Sequence, residues 1–495
     1  LTLATLLVST GDLDKALVHL QKCVALDPGN TRARTLLAGI AYSRKKYDEA
    51  ASEYRTILEA DPNNGDITIL LASVEIERKE EKTAISLLRK YMRRNPKSVK
   101  VQSYLGRVYA ETEQWRAAER AYARVGRMTN NPVPPLLQLG EVYEQKDRLD
   151  DALRVFRKAL AKSGDDPAVL SRLGALYLKR GEKKVALKTF LALEKVNPDD
   201  LDNVVRVGAL YFEEKTYPEA ITRFERVLMV RPDIDQVRYY LAVALIASEQ
   251  FDRALDEFKR IPPESQFYID SQTHLGFLYQ RGGNLKEAIR VMELAVEGET
   301  DGADARLALG SLYAKDKRVD DAVRVVEEVL EKDPENEQAY YTLAIIYEQA
   351  EMRDEAVEQM VRVTELNPKN ANALNYVGYT WAEKGVRLDE AEKLILRAVS
   401  LKPEDGFIRD SLGWVFYQQG QYDEAVRELE EAARLADDDP VILEHLGDAY
   451  LKSNKRSRAL ETYESALEKH PTAENAPKLR EKIRALKSQL KSENP

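Results

Sequence analysis

Residues 406–439 read GFIRDSLGWVFYQQGQYDEAVRELEEAARLADDD. Leu412 and Phe416, and then Ala425, Leu429 and Ala432, recur at helical intervals, so each of two helices presents one apolar stripe. Gly413 and Ala425 are small and let the two helices approach closely. Between the stripes, Gln418-Gln419-Gly420-Gln421-Tyr422-Asp423 is a polar break, with a glycine expected at the C-cap of the first helix and an aspartate at the N-cap of the second. Such a hairpin cannot bury both of its faces, so neighbours must stack on it.

The same spacing fills the chain. Copies begin near Thr31, Gly65, Val99, Val133, Pro167, Leu201, Asp235, Ile269, Ala303, Glu337, Ala371, Gly406 and Pro440, and a partial copy before Thr31 makes fourteen. One alanine recurs in every copy, from Ala16 to Ala459. Most copies close on a proline (Pro28, Pro62, Pro96, Pro198, Pro232, Pro334, Pro368, Pro403 and Pro471), which ends the second helix and reverses the chain. This pattern resembles the tetratricopeptide repeat (TPR). The resemblance implies an all-α fold, a right-handed superhelical α-solenoid of about fourteen helix–turn–helix repeats with a C-terminal capping helix.

Three places depart from strict repetition. Residues 129–135 (TNNPVPP) join the fourth and fifth copies, 261–265 (IPPES) cut short the second helix of the eighth, and 385–389 (GVRLD) add one residue to the turn of the twelfth. The first two are candidate seams. They divide the chain into 1–132 (copies one to four), 133–263 (five to eight) and 264–471 (nine to fourteen), with a capping helix and fraying tail at 472–495. In that last helix Leu479, Ile483, Leu486 and Leu490 form one stripe, and Lys478, Arg480, Lys482, Lys487 and Lys491 are expected to face away from it.

Composition fits this reading: 32% of residues are charged and 44% apolar, the balance of a water-soluble helical chain and not of a disordered or membrane one. The longest apolar run, about 241–247, falls short of the roughly 18 residues a membrane helix needs. The opening LTLATLLV lacks the basic flank and cleavage site of a signal peptide and reads as the first helix of a repeat whose start lies upstream. The lone Cys23 excludes an internal disulfide and a cysteine metal cluster, and is expected to be a buried small residue. The net charge of −9 conceals an asymmetry: residues 78–127 hold 14 Lys+Arg against 5 Asp+Glu, a local +9. Arg89, Lys90, Arg93, Arg94, Lys97, Lys100 and Arg107 form the centre of this basic patch. It suits an acidic partner, anionic lipid, nucleic acid or another anionic polymer, or else is a solvated convex face.

Catalytic motifs are missing from the sequence. His19, His274, His445 and His470 are scattered, without an HExxH pair. There is no GxSxG elbow, no GxxxxGK[ST] loop and no GxGxxG turn. Acid pairs such as Glu327-Glu328 sit on highly charged helices and read as solvated surface. No enzyme activity, cofactor or metal is expected. His274 and His445 occupy the same place in different copies, which argues for packing between helices.

In a TPR stack the first helix of each repeat lines the concave side, and the resemblance implies that places two, five, nine, twelve and thirteen point into it. From the seventh copy onward these include Val205, Phe212, Tyr239, Val243, Ile246, Phe277, Leu307, Tyr341, Ile345, Tyr379, Phe407, Trp414 and Tyr417, an apolar and aromatic track. Tyrosines at the fifth and twelfth places also pack against neighbouring copies in such repeats, which accounts for Tyr239, Tyr341 and Tyr417. It accounts less well for Phe277, Ile345, Tyr379 and Trp414 at the ninth place. The Lys/Asn clamp for a C-terminal carboxylate is missing, since the corresponding pairs include Thr35 with Gly39 and Ile69 with Ser73. A hydrophobic segment or helix is the better-suited ligand.

Residues 258–283 (FKRIPPESQFYIDSQTHLGFLYQRGG) and 374–420 (LNYVGYTWAEKGVRLDEAEKLILRAVSLKPEDGFIRDSLGWVFYQQG) carry a closer resemblance, to Gram-negative TPR lipoproteins and related exported proteins that share the extra residue before LDEA. That resemblance implies a non-enzymatic adaptor in the periplasm, anchored at the outer membrane by a segment outside this sequence, serving a protease or envelope assembly. A cytoplasmic location is the alternative.

Overall fold

A computed structural model describes residues 1–298, 302–469, 472 and 475–493. Every regular element among them is an α-helix. Compactness divides the chain into two units, residues 1–249 and 250–495.

The first unit opens with α1 (Thr2–Ser9), α2 (Leu13–Leu26), α3 (Thr31–Ser43), α4 (Tyr47–Ala60) and α5 (Gly65–Glu77). It continues through α6 (Glu81–Arg94), α7 (Val99–Glu111), α8 (Trp115–Thr129), α9 (Val133–Gln145) and α10 (Leu149–Ser163). It closes with α11 (Pro167–Lys179), α12 (Lys183–Val196), α13 (Leu201–Glu213), α14 (Tyr217–Val230) and α15 (Asp235–Ala247). The second unit begins with α16 (Phe251–Lys259), α17 (Tyr268–Arg281), α18 (Leu285–Gly298), α19 (Ala303–Lys315) and α20 (Val319–Lys332). Then come α21 (Glu337–Gln349), α22 (Arg353–Leu366), α23 (Ala371–Glu383), α24 (Leu388–Leu401) and α25 (Gly406–Gln418). The last are α26 (Tyr422–Leu435), α27 (Pro440–Lys452), α28 (Arg456–Glu468) and α29 (Asn475–Glu493).

The odd-numbered helices up to α27 begin where the repeat pattern places them, except that α17 starts one residue early, at Tyr268. The recurring alanine is fully buried in every copy, from Ala16 to Ala459. A second small residue, in the first helix of each hairpin, faces a large one in the second. A Cβ on Gly140 would lie 2.2 Å from Phe156, on Gly174 2.4 Å from Phe190, and on Gly413 2.5 Å from Leu429. Only glycine admits these ring and branched side chains at that distance.

Each inter-helix turn contains one residue in the left-handed region. At Gly420 (φ 79°) the amide donates to Tyr417 O at 3.0 Å and the Gln421 amide to Phe416 O at 2.8 Å, a Schellman closure. The same place is taken by Lys45, Lys79, Glu113, Lys215, Glu249, Lys317 and Glu351, all at φ near 60°. The expected C-cap glycine is corrected by one place: Gln419 is the C-cap of α25 and Gly420 follows it, where glycine is one solution among several. The expected aspartate cap is corrected: Gln421 is the N-cap of α26 and Asp423 lies in its first turn, where it complements the helix dipole. Side-chain capping is commoner at the other junction, where Asn30, Asn64, Asp200, Asn336, Asn370 and Asp405 accept amide hydrogens at the starts of odd-numbered helices, although Asp12 caps α2 within the first hairpin.

The irregular stretches have visible causes. Asn130 ends α8 in a left-handed conformation, and α9 carries prolines in its first turn, within the first unit. α16 has nine residues against the usual thirteen or fourteen, ending just before Ile261-Pro262-Pro263. The added residue at 385–389 makes Arg387 a second left-handed position after Gly385.

Three further expectations are corrected. Cys23 is half-buried, not fully buried, beside the cluster that contains Ala16 and Leu20. On α29, Leu479, Ile483 and Leu486 are buried as expected, but Lys482 does not face away. Its Nζ lies 2.9 Å from Glu444 Oε1 and 2.7 Å from Asp448 Oδ1, over the ring of Tyr463. Leu307, assigned to the exposed track, is only 7% exposed and belongs to the core around Ala305 and Leu309. His470 and Pro471 lie outside the described residues, as do the side chain of Lys491 and the end of the fraying tail.

Candidate functional site

Consecutive odd-numbered helices pack directly on one another: α5 on α7 and α7 on α9 in the first unit, α19 on α21, α23 on α25 and α25 on α27 in the second. Within each unit they therefore form the tighter, inner side, and the side chains at places two, five and nine stand on it.

In the second unit the inner side leaves large apolar side chains uncovered among exposed polar ones such as Asp270, Thr273, Gln338 and Asn372. Phe277 on α17 is 48% exposed, Ile345 on α21 39% and Phe407 on α25 61%. Tyr341, Tyr379, Trp414 and Tyr417 are half-buried. Burial pushes the Tyr379 and Tyr417 hydroxyls up to about 12, so both remain neutral donors at physiological pH. In the first unit Phe212, Tyr239 and Val243 are half-buried as well, and Phe212 packs edge-on to Tyr240 at 5.6 Å.

Trp414 has a role that the repeat register does not reveal. Its indole lies between Tyr417, 4.8 Å away and nearly parallel, and His445 of α27, 4.4 Å away. His445 Nδ1 is 2.9 Å from Asp410 Oδ1, which ties α27 to α25. Burial works against protonation of His445, but the Asp410 carboxylate prevails and holds its pKa above the usual value. The equivalent His274 stacks on Phe258 at 4.9 Å, and burial lowers its pKa. Packing between helices thus explains both histidines. Trp414 Nε1 is buried without an acceptor among the described residues. An unsatisfied donor of this kind costs about 1–3 kcal/mol, so stability alone would not select tryptophan here.

The basic patch does not stay together. Lys100 of α7 is engaged by Asp66, and Arg107 Nε lies 2.8 Å from Glu111 Oε1. Lys90, Arg94 and Lys97 are exposed at or beyond the end of α6. Arg89 and Arg93 face a cleft together with Arg120 and Arg124 of α8. Sequence order hid that grouping, because the two arginine pairs lie about one repeat apart.

Among the described residues, no group of three or more His, Cys, Asp or Glu side chains is placed to hold a metal ion. No helix among them is long and apolar enough to cross a membrane.

Comparison with known proteins bears on the family. Forty-five per cent identity over 76 residues links the chain to the TPR repeat-containing protein PA4667 of Pseudomonas aeruginosa, a match covering 15% of this chain and 13% of that protein. Among solved structures, a tetratricopeptide repeat protein from Parabacteroides merdae is 19% identical, covering 51% of this chain and 98% of its own at a TM-score of 0.40. Yeast Tom70 is 16% identical, covering 93% of this chain and 96% of its own at a TM-score of 0.37. Family models described as tetratricopeptide repeat match residues 7–74, 143–209, 211–272, 314–376 and 416–483, and a second such model matches 275–337. These matches span well over half of the chain, and they agree with the buried alanines and paired helices just described: the chain belongs to the tetratricopeptide repeat family.

Proposed function

We propose that the chain is a non-enzymatic scaffold whose second unit binds a hydrophobic segment or helix of a partner protein along its inner side. The observation that carries this reading is the exposure of Phe277, Ile345 and Phe407 on a face where the hairpin core does not need them. Large apolar side chains left in water on a binding-competent face are the usual anchors of protein contacts. Trp414 and Tyr417, stacked and half-buried, supply a rigid wall beside Phe407 on the same helix. Several shallow contacts along one surface add up to useful avidity. An envelope assembly in the bacterial periplasm, including a protease, is the setting we favour, on the resemblance of 258–283 and 374–420 to exported adaptors.

Crosslinking mass spectrometry in the source cell would name the partner and the face. The triple variant Phe277→Ser, Ile345→Ser, Phe407→Ser is then expected to lose capture of that partner by tenfold or more, with an unchanged circular-dichroism spectrum. Undiminished capture would refute the assignment.

A further inference from the structure

On the first unit, a cleft of about 430 Å³ is formed by α6, α7 and α8. Gln102, Met92, Leu105 and Tyr109, with Ala117 and Ala121, also line it, and the exposed lining is mostly polar. Arg89 and Arg93 border it from α6, Arg120 and Arg124 from α8, and no carboxylate is among its lining groups. Arg124 Nη2 donates to Pro96 O at 3.3 Å. Among the described residues, Arg89, Arg93 and Arg120 have no carboxylate within ion-pairing distance.

Elsewhere in this unit, arginines at two of these repeat places are neutralised. Arg55, one repeat before Arg89, meets Glu75 at 2.5 Å, and one repeat after Glu75 stands Tyr109. Arg226, three repeats after Arg124, also donates to a proline carbonyl, that of Pro198, and is held by Glu194 at 3.1 Å. The residue at Glu194's place in the third repeat is Met92. Both carboxylates that would neutralise this cleft are thus replaced by side chains that line it, and four guanidiniums are left to repel one another.

Among the described residues, free cations continue beyond the cleft, with Arg127 of α8 and Lys158 and Lys162 of α10 lining the next groove, but the equivalents of Arg89 and Arg120 are compensated. On the flanking repeats Arg55 is paired, and Arg154 lies 2.6 Å from Glu119 and 2.9 Å from Asp151. A lipid surface would call for a flat face with a protruding apolar rim. A short concave site bordered by guanidiniums does not match that, and suits an acidic chain segment that enters it. Two arginines four residues apart on a helix are separated by about 6 Å along its axis, close to the spacing of alternate residues in an extended peptide. Guanidinium groups engage carboxylates with two parallel hydrogen bonds.

We propose that this cleft docks an acidic peptide segment of a partner protein, its carboxylates on the four guanidiniums and an apolar side chain against Met92 and Tyr109. The site is separate from the inner side of the second unit, so the chain holds two partner segments of different chemistry.

Fluorescence anisotropy of the full chain with a labelled peptide of alternating glutamate and leucine tests this. Binding is expected, weakening as salt is raised. The glutamine counterpart of the peptide is expected not to bind. Arg89→Glu with Arg120→Glu is expected to weaken binding by about tenfold or more, and Arg89→Gln with Arg120→Gln gives a milder pair should the reversal disturb folding. Phe277→Ser is expected to leave it unchanged, which separates this site from the one proposed above. Equal affinity in both arginine variants, equal binding of the glutamine peptide, or displacement by oligothymidylate or phosphatidylglycerol vesicles in preference to the unlabelled peptide would overturn the proposal.

Discussion

The inner sides of the early and the late repeats share a backbone and differ in chemistry. On α3, α5 and α7 the fifth and ninth places hold Thr35 with Gly39, Ile69 with Ser73 and Ser103 with Arg107. On α21, α23 and α25 they hold Tyr341 with Ile345, Asn375 with Tyr379 and Asp410 with Trp414. Helix boundaries and buried alanines are the same in both regions. The hairpin is thus indifferent to what stands at these places, which leaves them open to serve a partner. The pair Asp410–His445 is where that indifference fails, because an inner-side residue there also joins two repeats.

The largest expected effect tests that exception. Asp410→Ala removes the partner of the largely covered His445 and is expected to cost about 2–3 kcal/mol, read as a lower urea midpoint at pH 6. The pair has a definite pH signature. The pKa of His445 is raised on folding, so its contribution is fully present below the unfolded value of about 6.5 and is lost as pH rises through the higher folded value. The gap between wild type and Asp410→Asn should accordingly narrow on going from pH 6 to pH 9. A constant gap would make the contact one of packing alone.

A somewhat smaller loss, about 1–3 kcal/mol, is expected where the two regions should behave alike. Gly413→Val drives a side chain into Leu429, and Ala72→Val, at the same place in an early repeat, meets a core that contains Leu88. Thermal denaturation should show both; a neutral Ala72→Val would mean that the early hairpins are more loosely fitted. Next in size is a gain. Lys317→Gly relieves a lysine held at φ 63° and is expected to stabilise by about 0.5–1 kcal/mol, the left-handed penalty less the entropy of glycine. The smallest effect sharpens the comparison most: Ser73→Tyr, which gives an early repeat a late-repeat side chain, should shift stability by no more than about 0.5 kcal/mol. A larger change would show that the early inner side is not free.

The sequence revealed the hairpins almost to the residue, because proline, the Leu-Gly pair and one alanine act within about thirty residues of one another. It hid whatever depends on the neighbouring copy. Leu307 reads as an inner-side residue by register but is buried in the core with Leu309 and Leu312. Lys482 reads as solvent-facing on its own helix, and only the fold brings it to Glu444 and Asp448. The arginine cleft was visible as charge but not as geometry, since α6 and α8 meet across an intervening helix. Turn residues escaped for another reason: a lysine or glutamate in the left-handed region has no signature apart from its place in the period.

The close fit of Gly413 to Leu429, like that of Gly174 to Phe190, lies inside a single hairpin. Each hairpin carries its own lock and is a heritable module. Whole copies can be gained or lost in evolution without redesigning the joint within any of them, and the chain can change length while only the side chains between copies must be renegotiated.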